Sequence, residues 1–215
     1  MGVALVEVVY VSWDRAVELC FKLAKKVADS GFRPDVIVAV LRGGVVPALI
    51  VSDVLNVEEF YAIRVKHWGI AEEVYKVPVI EQLPQGKLEG KRVLLVDEIA
   101  DTGKTIEVAV RELRKMGLQE VRTSVVHLKP TSSVIPDYYV EKLNRWVWVF
   151  YPWSTAETLI SLAHRELGRG ADVGEILRVA EAIAEKLRVR EPVRSILEVA
   201  MRFYVESLGL PKEGT

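Results

Sequence analysis

The run Val93-Leu94-Leu95-Val96-Asp97-Glu98-Ile99-Ala100-Asp101-Thr102-Gly103-Lys104-Thr105 brings two kinds of chemistry into one short stretch. An apolar, strand-like segment delivers two adjacent acids, Asp97 and Glu98. A turn rich in Asp, Thr and Gly follows and opens a helix. Backbone N–H groups and threonine hydroxyls gathered at a helix N-terminus form a ready anion site. Ionised carboxylates only accept hydrogen bonds, so the acid pair suits hydroxyls and metal-bound water rather than phosphate. A ribose 5-phosphate has those two ends. The plainer reading is an acidic strand end beside a capped helix, as in phospho-acceptor domains. A nucleotide triphosphatase loop is excluded, because Gly103-Lys104-Thr105 would require glycine at position 98, and Glu98 stands there.

Three other segments could serve such a loop. Leu41-Arg42-Gly43-Gly44 follows a buried apolar run; its glycines let the backbone approach a ligand and Arg42 supplies charge for a pyrophosphate. Alone, it is equally an ordinary strand-to-helix turn. His127-Leu128-Lys129-Pro130 ends another apolar run with an ammonium, a group that can only donate. Trp148-Val149-Phe150-Tyr151-Pro152-Trp153 is a dense aromatic stretch; Trp146, just before it, is expected in the core.

Together these segments resemble the type I phosphoribosyltransferases, and among them the xanthine-guanine and hypoxanthine-guanine (6-oxopurine) enzymes, over about Val8 to Trp153. The resemblance implies transfer of a 5-phosphoribosyl group from phosphoribosyl pyrophosphate to a 6-oxopurine, with Mg2+ as cofactor. Carried over residue by residue, Asp97 and Glu98 hold the ribose hydroxyls and indirectly the metal. Asp101, Thr102, Gly103, Lys104 and Thr105 cradle the 5-phosphate, and Asp101 also contacts purine N7 as general base or electrostatic anchor. Arg42, Gly43 and Gly44 bind pyrophosphate after a cis Leu41–Arg42 peptide. Lys129 donates to the exocyclic oxygen of the base and opposes the amino group of adenine. Trp148 stacks on the purine, and the Val149 backbone bonds its edge. Where the family places an aspartate near the metal, this sequence has Ser154. The Ser-Tyr pair of many hypoxanthine-guanine members is not evident in the flexible-loop region; His67-Trp68 lies near its place without an assigned role. The competing readings are a regulatory sensor of phosphoribosyl pyrophosphate and a transferase for adenine, orotate or uracil.

The elements that must position these residues alternate. Strands are expected at Val3–Val11, Asp35–Leu41, Phe60–Val65, Arg92–Val96, Val121–Leu128, Tyr138–Val140 and Trp146–Phe150. Helical periodicity follows the first two, with Ser12 as N-cap of one helix and Pro47 in the first turn of the next, and returns over Thr105–Met116. This pattern implies an α/β fold, a mostly parallel twisted sheet with helices on both faces, and ligands beyond the carboxyl ends of its strands. Lys66 to Gly90 has no clear period and reads as a long lid-like excursion. From Thr155 the pattern becomes helical, over Thr158–Leu167, Val173–Leu187 and Val193–Leu208. The expected organisation is a transferase domain over 1–154, with a flexible loop at about 66–90, and an all-helical extension over 155–215.

Composition bounds the rest. The chain has 215 residues and a net charge of -1, so it lacks the global basic field of a nucleic-acid binder. Its single cysteine, Cys20, forms no intrachain disulfide, and no Cys/His cluster suggests zinc. A reducing, cytoplasmic location is expected, with no membrane span. The expected partners are the two substrates and further copies of the chain, as a dimer or tetramer.

Overall fold

A computed structural model of the chain describes residues 6–66, 78–168 and 170–208. In chain order the elements are β1 (Val8–Tyr10), α1 (Trp13–Asp29), β2 (Val36–Leu41), α2 (Val45–Leu55), β3 (Phe60–Lys66), β4 (Val79–Gln82), β5 (Arg92–Ala100), α3 (Lys104–Arg114), β6 (Glu120–Leu128), β7 (Tyr138–Lys142), β8 (Trp148–Phe150), a 3-10 turn (Pro152–Ser154), α4 (Thr155–Leu167), α5 (Val173–Leu187) and α6 (Val193–Ser207). They fall into two compact units, residues 14–66 with 78–146, and residues 6–13 with 147–208.

The first unit is built on a six-stranded sheet in the order β4-β3-β2-β5-β6-β7. All its neighbours run parallel except the β3–β4 edge. Parallel strands crossed over by helices bury both faces, which explains the unbroken apolar run of β2. Val36, Val38, Val40, Val93 and Leu95 join Ile106, Ala109 and Leu113 of α3 in one core. The alternate residues Ile37, Ala39, Leu94 and Val96 point to the opposite face and are also buried, and α2 packs on β2 and β5. At the N-terminal end of that strand pair, Arg92 grips Asp35 through Nε at 3.0 Å, Nη2 at 2.7 Å and its backbone N–H at 2.8 Å. These bonds hold the Asp35 carboxyl down at about 2. They also fix the register, Val36 against Val93, that brings Leu41 and Asp97 out at the same edge.

Four expectations about elements are corrected. β5 does not stop at Val96 but runs through the acid pair to Ala100, because its ladder with β6 continues to Ala100 opposite Leu128. Part of the Lys66–Gly90 excursion is ordered: β4 adds an antiparallel edge to β3, and Leu88 is buried in the core. Residues 67–77 of that excursion, which include His67 and Trp68, lie outside the described residues. β8 begins at Trp148, so Trp146 is not in a strand. The β1 and β8 strands form their own two-stranded parallel ribbon instead of joining the large sheet.

In the second unit, that ribbon packs with three helices. Phe150 of β8 shares a core with Leu159, Ile160, Ile176, Leu197 and Met201. The start of α5 is closed by a capping box in which the Asp172 carboxylate accepts from Glu175 N–H and the Glu175 carboxylate accepts from Asp172 N–H. The helical tail therefore buries its apolar faces within the same chain. Among the described residues no helix is long and apolar enough to cross a membrane.

Candidate active site

β2, β5 and β6 all run parallel and end on the same edge of the sheet, so their following loops meet there. The β2–α2 turn is Arg42-Gly43-Gly44, and the Leu41–Arg42 peptide is cis. A Cβ at Gly43 would overlap the Glu98 carboxylate. A Cβ at Gly44 would lie 2.5 Å from the Val96 carbonyl oxygen and 2.8 Å from that of Val40. The two glycines thus let the turn close on the acid pair, and Arg42 is exposed at its tip. Their substitution should have different outcomes. Gly44→Ala meets only backbone and should cost about 2–4 kcal/mol, roughly 5–15 °C in Tm at this length. Gly43→Ala meets a side chain that can swing away, so it should retain most stability while displacing Glu98. Thermal melts with binding titrations check the pair; equal melting losses would refute the contrast.

Asp97 is buried, and its Oδ1 accepts from Glu98 N–H at 2.9 Å. Burial pushes its carboxyl well above the ordinary aspartate value, and the neighbouring Glu98 charge adds to the effect. Two carboxylates beside a turn suited to pyrophosphate form a hard oxygen donor set appropriate to Mg2+. Among the described residues no cluster of three or more His, Cys, Asp or Glu side chains could hold a metal by itself. Ser154, which stands where the resemblance implies an aspartate near the metal, donates to the Tyr151 carbonyl at 3.0 Å and lies 3.1 Å from the Thr158 hydroxyl.

The phosphate turn opens α3. Gly103 takes φ +82° at the N-cap, a left-handed conformation that glycine adopts without penalty. The loop after β6 closes over this turn: Ser133 donates to the Thr102 carbonyl from both its N–H and its hydroxyl, each at 3.0 Å. A trans peptide points its C=O and N–H in opposite directions. Fixing the Thr102 carbonyl on Ser133 therefore turns the Gly103 N–H the other way, away from Ser133. Thr102 precedes Gly103 on this turn, and Lys104 and Thr105 are the first residues of α3.

Asp101 and Lys129 meet directly. The ladder between β5 and β6 is extended by a bond from Lys129 N–H to the Ala100 carbonyl at 2.9 Å, and Lys129 Nζ donates to Asp101 Oδ2 at 2.7 Å. The ammonium is nearly fully buried. The Thr131 hydroxyl lies 2.9 Å from the Asp101 carbonyl oxygen and 3.1 Å from Oδ1, donating into that pair. Trp146 Nε1 donates to the same Oδ1 at 3.2 Å, and Lys129 Nζ sits 4.3 Å from the centroid of the Trp146 ring. Trp146 is 39% exposed, which corrects its expected place in the core. Thr131, Ser133 and Trp146 are residues in contact with the candidate site that sequence reasoning missed. The run of hydroxyls at 131–133 directly after Lys129-Pro130 was the available signal. Behind Lys129, His127 is buried against Glu141, Nε2 to Oε2 at 3.0 Å, and burial lowers its pKa.

Trp148 and Val149 stand on β8, in the other unit. There the Arg165 guanidinium lies 5.7 Å from the centroid of the Trp148 ring. Cys20 is buried in α1 and its thiol is pushed up to about 12 by burial, so it takes no nucleophilic part at neutral pH.

A sheet edge that joins an acid pair, a phosphate-type helix start and a basic Gly-Gly turn defines a class, and the comparisons agree. The phosphoribosyl transferase domain family matches residues 10–157, and the chain belongs to it. A xanthine-guanine phosphoribosyltransferase of Cereibacter sphaeroides is 32% identical over 170 residues, which are 76% of this chain and 93% of that protein. The crystal structure of a purine phosphoribosyltransferase from Pyrococcus horikoshii Ot3 superposes with a TM-score of 0.59 at 38% identity, covering 68% of this chain and 93% of that one. A hypothetical protein from Neisseria gonorrhoeae with bound ppGpp gives a TM-score of 0.61 at 25% identity, over 84% of this chain and 99% of that one.

Proposed function

We propose that the protein is a purine salvage transferase that moves the 5-phosphoribosyl group of phosphoribosyl pyrophosphate to a 6-oxopurine, releasing pyrophosphate and a nucleoside monophosphate. The observation that carries the choice of base is the Lys129–Asp101 pair, ammonium and carboxylate side by side at 2.7 Å. A 6-oxopurine presents O6, an acceptor, next to N7, which can carry a proton. An ammonium can meet the first while a carboxylate meets the second. Adenine presents an amino group where the ammonium also donates, so the same pair repels it. The relatives named for xanthine, guanine and purine are in keeping with this reading. So is the neighbour that holds ppGpp, a guanine nucleotide bearing phosphates.

In this mechanism the turn from Asp101 to Thr105 holds the 5-phosphate through its amides and threonine hydroxyls, and Asp97 and Glu98 accept from the ribose hydroxyls. Arg42 and the Gly43-Gly44 backbone bind pyrophosphate. Mg2+, when held by the acid pair indirectly and by the substrate, supplies neutralising charge at the leaving group. The bond from C1 of the ribose to pyrophosphate breaks as N9 of the base attacks that carbon. The electron pair of the broken bond leaves with pyrophosphate, and the purine, now cationic, gives its N7 proton to Asp101. Lys129 stabilises the charge on O6. The family resemblance gives Trp148 the role of stacking on a base and the Val149 backbone the role of bonding its edge. The protein acts in the cytoplasm as a homo-oligomer.

A panel of bases with pyrophosphate release as the readout tests this function. Hypoxanthine, guanine or xanthine should support turnover and adenine should not. Lys129→Ala should reduce kcat/KM for the 6-oxopurine by about 10²-fold, since a buried acceptor loses its donor. A preference of the unmodified protein for adenine, orotate or uracil would refute the assignment.

A further inference from the structure

Trp146 touches both charged groups of the proposed base site and belongs to none of the segments that suggested it. An indole carries partial positive charge on its N–H edge and partial negative charge on its face. Here the edge is set on the carboxylate, Nε1 to Asp101 Oδ1 at 3.2 Å, and the face on the ammonium, 4.3 Å from Lys129 Nζ. One ring therefore satisfies both signs. The two oxygens of Asp101 are also made unequal. Oδ2 belongs to Lys129, whereas Oδ1 is held by Thr131 and Trp146. A carboxylate with hydrogen bonds to both oxygens resists rotation about its own axis, which favours one direction for the Oδ2 edge. At 39% exposure the ring contributes little as core filling.

We infer that Trp146 is a positioning residue for the proposed reaction: its N–H orients the Asp101 carboxylate for the base proton, and its ring face steadies the Lys129 ammonium that selects the 6-oxo group. The inference rests on the transferase reading above. It also separates two contributions, because phenylalanine retains the face without the N–H and leucine retains neither.

Steady-state kinetics of the full chain with a 6-oxopurine and phosphoribosyl pyrophosphate, together with thermal melts, test it. Trp146→Phe should lower kcat about tenfold while the KM of the base stays within about twofold, the loss expected when one hydrogen bond to a charged group disappears and the cation–π contact survives. Trp146→Leu should show the same fall in kcat and also raise the KM of the base about fivefold, an increase that phenylalanine rescues. The KM of phosphoribosyl pyrophosphate should be unchanged in both, because the ribose and phosphate grips lie elsewhere. Unaltered kcat in both variants would overturn the inference. So would a parallel rise of both KM values with a lowered Tm, which is the signature of a merely structural role. If the unmodified protein turns over no base at all, the transferase reading fails first and takes this inference with it. Turnover that is indifferent to Trp146 removes this inference alone.

Discussion

Asp101→Asn should lower kcat by about 10²–10⁴-fold and leave the affinity for phosphoribosyl pyrophosphate within a fewfold of the unmodified protein. The asymmetry follows from the geometry. In the proposed mechanism the 5-phosphate is held by amides at the start of α3 and by threonine hydroxyls, and the Gly103 N–H before them is turned by the bonds from Ser133 to the Thr102 carbonyl. None of them depends on the Asp101 side chain. The base, in contrast, loses its proton acceptor. Asparagine also has only one oxygen to share among Lys129, Thr131 and Trp146. If that oxygen stays with Thr131 and Trp146, the amide nitrogen faces the Lys129 ammonium, donor against donor. The KM of the base should therefore rise together with the loss of turnover. Pyrophosphate release gives kcat, and calorimetric titration of phosphoribosyl pyrophosphate gives the affinity. Full turnover in the variant would remove Asp101 from the chemistry.

Asp97→Asn should do two opposite things. Function should fall: an asparagine oxygen is a weaker acceptor for a ribose hydroxyl than a carboxylate, and the loss of a charged hydrogen bond corresponds to about a 10–100-fold drop in kcat/KM for phosphoribosyl pyrophosphate. Stability should rise. The Asp97 carboxyl is buried beside Glu98, and both effects raise its pKa in the folded chain above the ordinary 3.8. The folded protein then binds the Asp97 proton more tightly than the unfolded chain does. The stabilisation this provides is complete below the ordinary value and disappears as pH rises through the raised one. At neutral pH the buried charge opposes folding. Removing it should gain on the order of 1 kcal/mol, about 2–4 °C in Tm, and the gain should vanish as pH falls towards the ordinary carboxylate range. Melts across pH check the sign. An unchanged or lowered Tm at neutral pH would mean that the pocket already compensates the charge. A stability that rises when a polar site residue is lost marks strain retained for function.

How much of this was legible in the sequence depends on how local each feature is. The acid pair and the phosphate turn lie in one continuous run, and a buried strand followed by Asp-Thr-Gly and a helix can be read residue by residue. The Gly-Gly turn is also local, yet its reason is not: Gly43 and Gly44 must be small because Glu98 and the Val96 carbonyl, more than fifty positions later, press on them. Trp146 was assigned to the core because an indole in an aromatic run usually packs there. Its actual contact is with Asp101, far away in sequence, and no periodicity reports such a contact. β4 was missed for a different reason. Val79-Ile80-Glu81-Gln82 is short, half-polar and bounded by Pro78 and Pro84, so it becomes a strand only because β3 offers an edge to pair with. The same holds for the ribbon of β1 and β8, whose partners come from opposite ends of the matched domain.

The claim on which everything else stands is that the bend from Asp97 to Thr105 grips a sugar diol with carboxylates at one end and its phosphoester with amides at the other. Calorimetric titration of the purified chain with phosphoribosyl pyrophosphate in the presence of Mg2+ tests it most directly. The account predicts saturable binding at one site per chain, displaced by ribose 5-phosphate and weakened by Asp97→Asn. Absence of binding, or binding that ribose 5-phosphate does not displace, would contradict it.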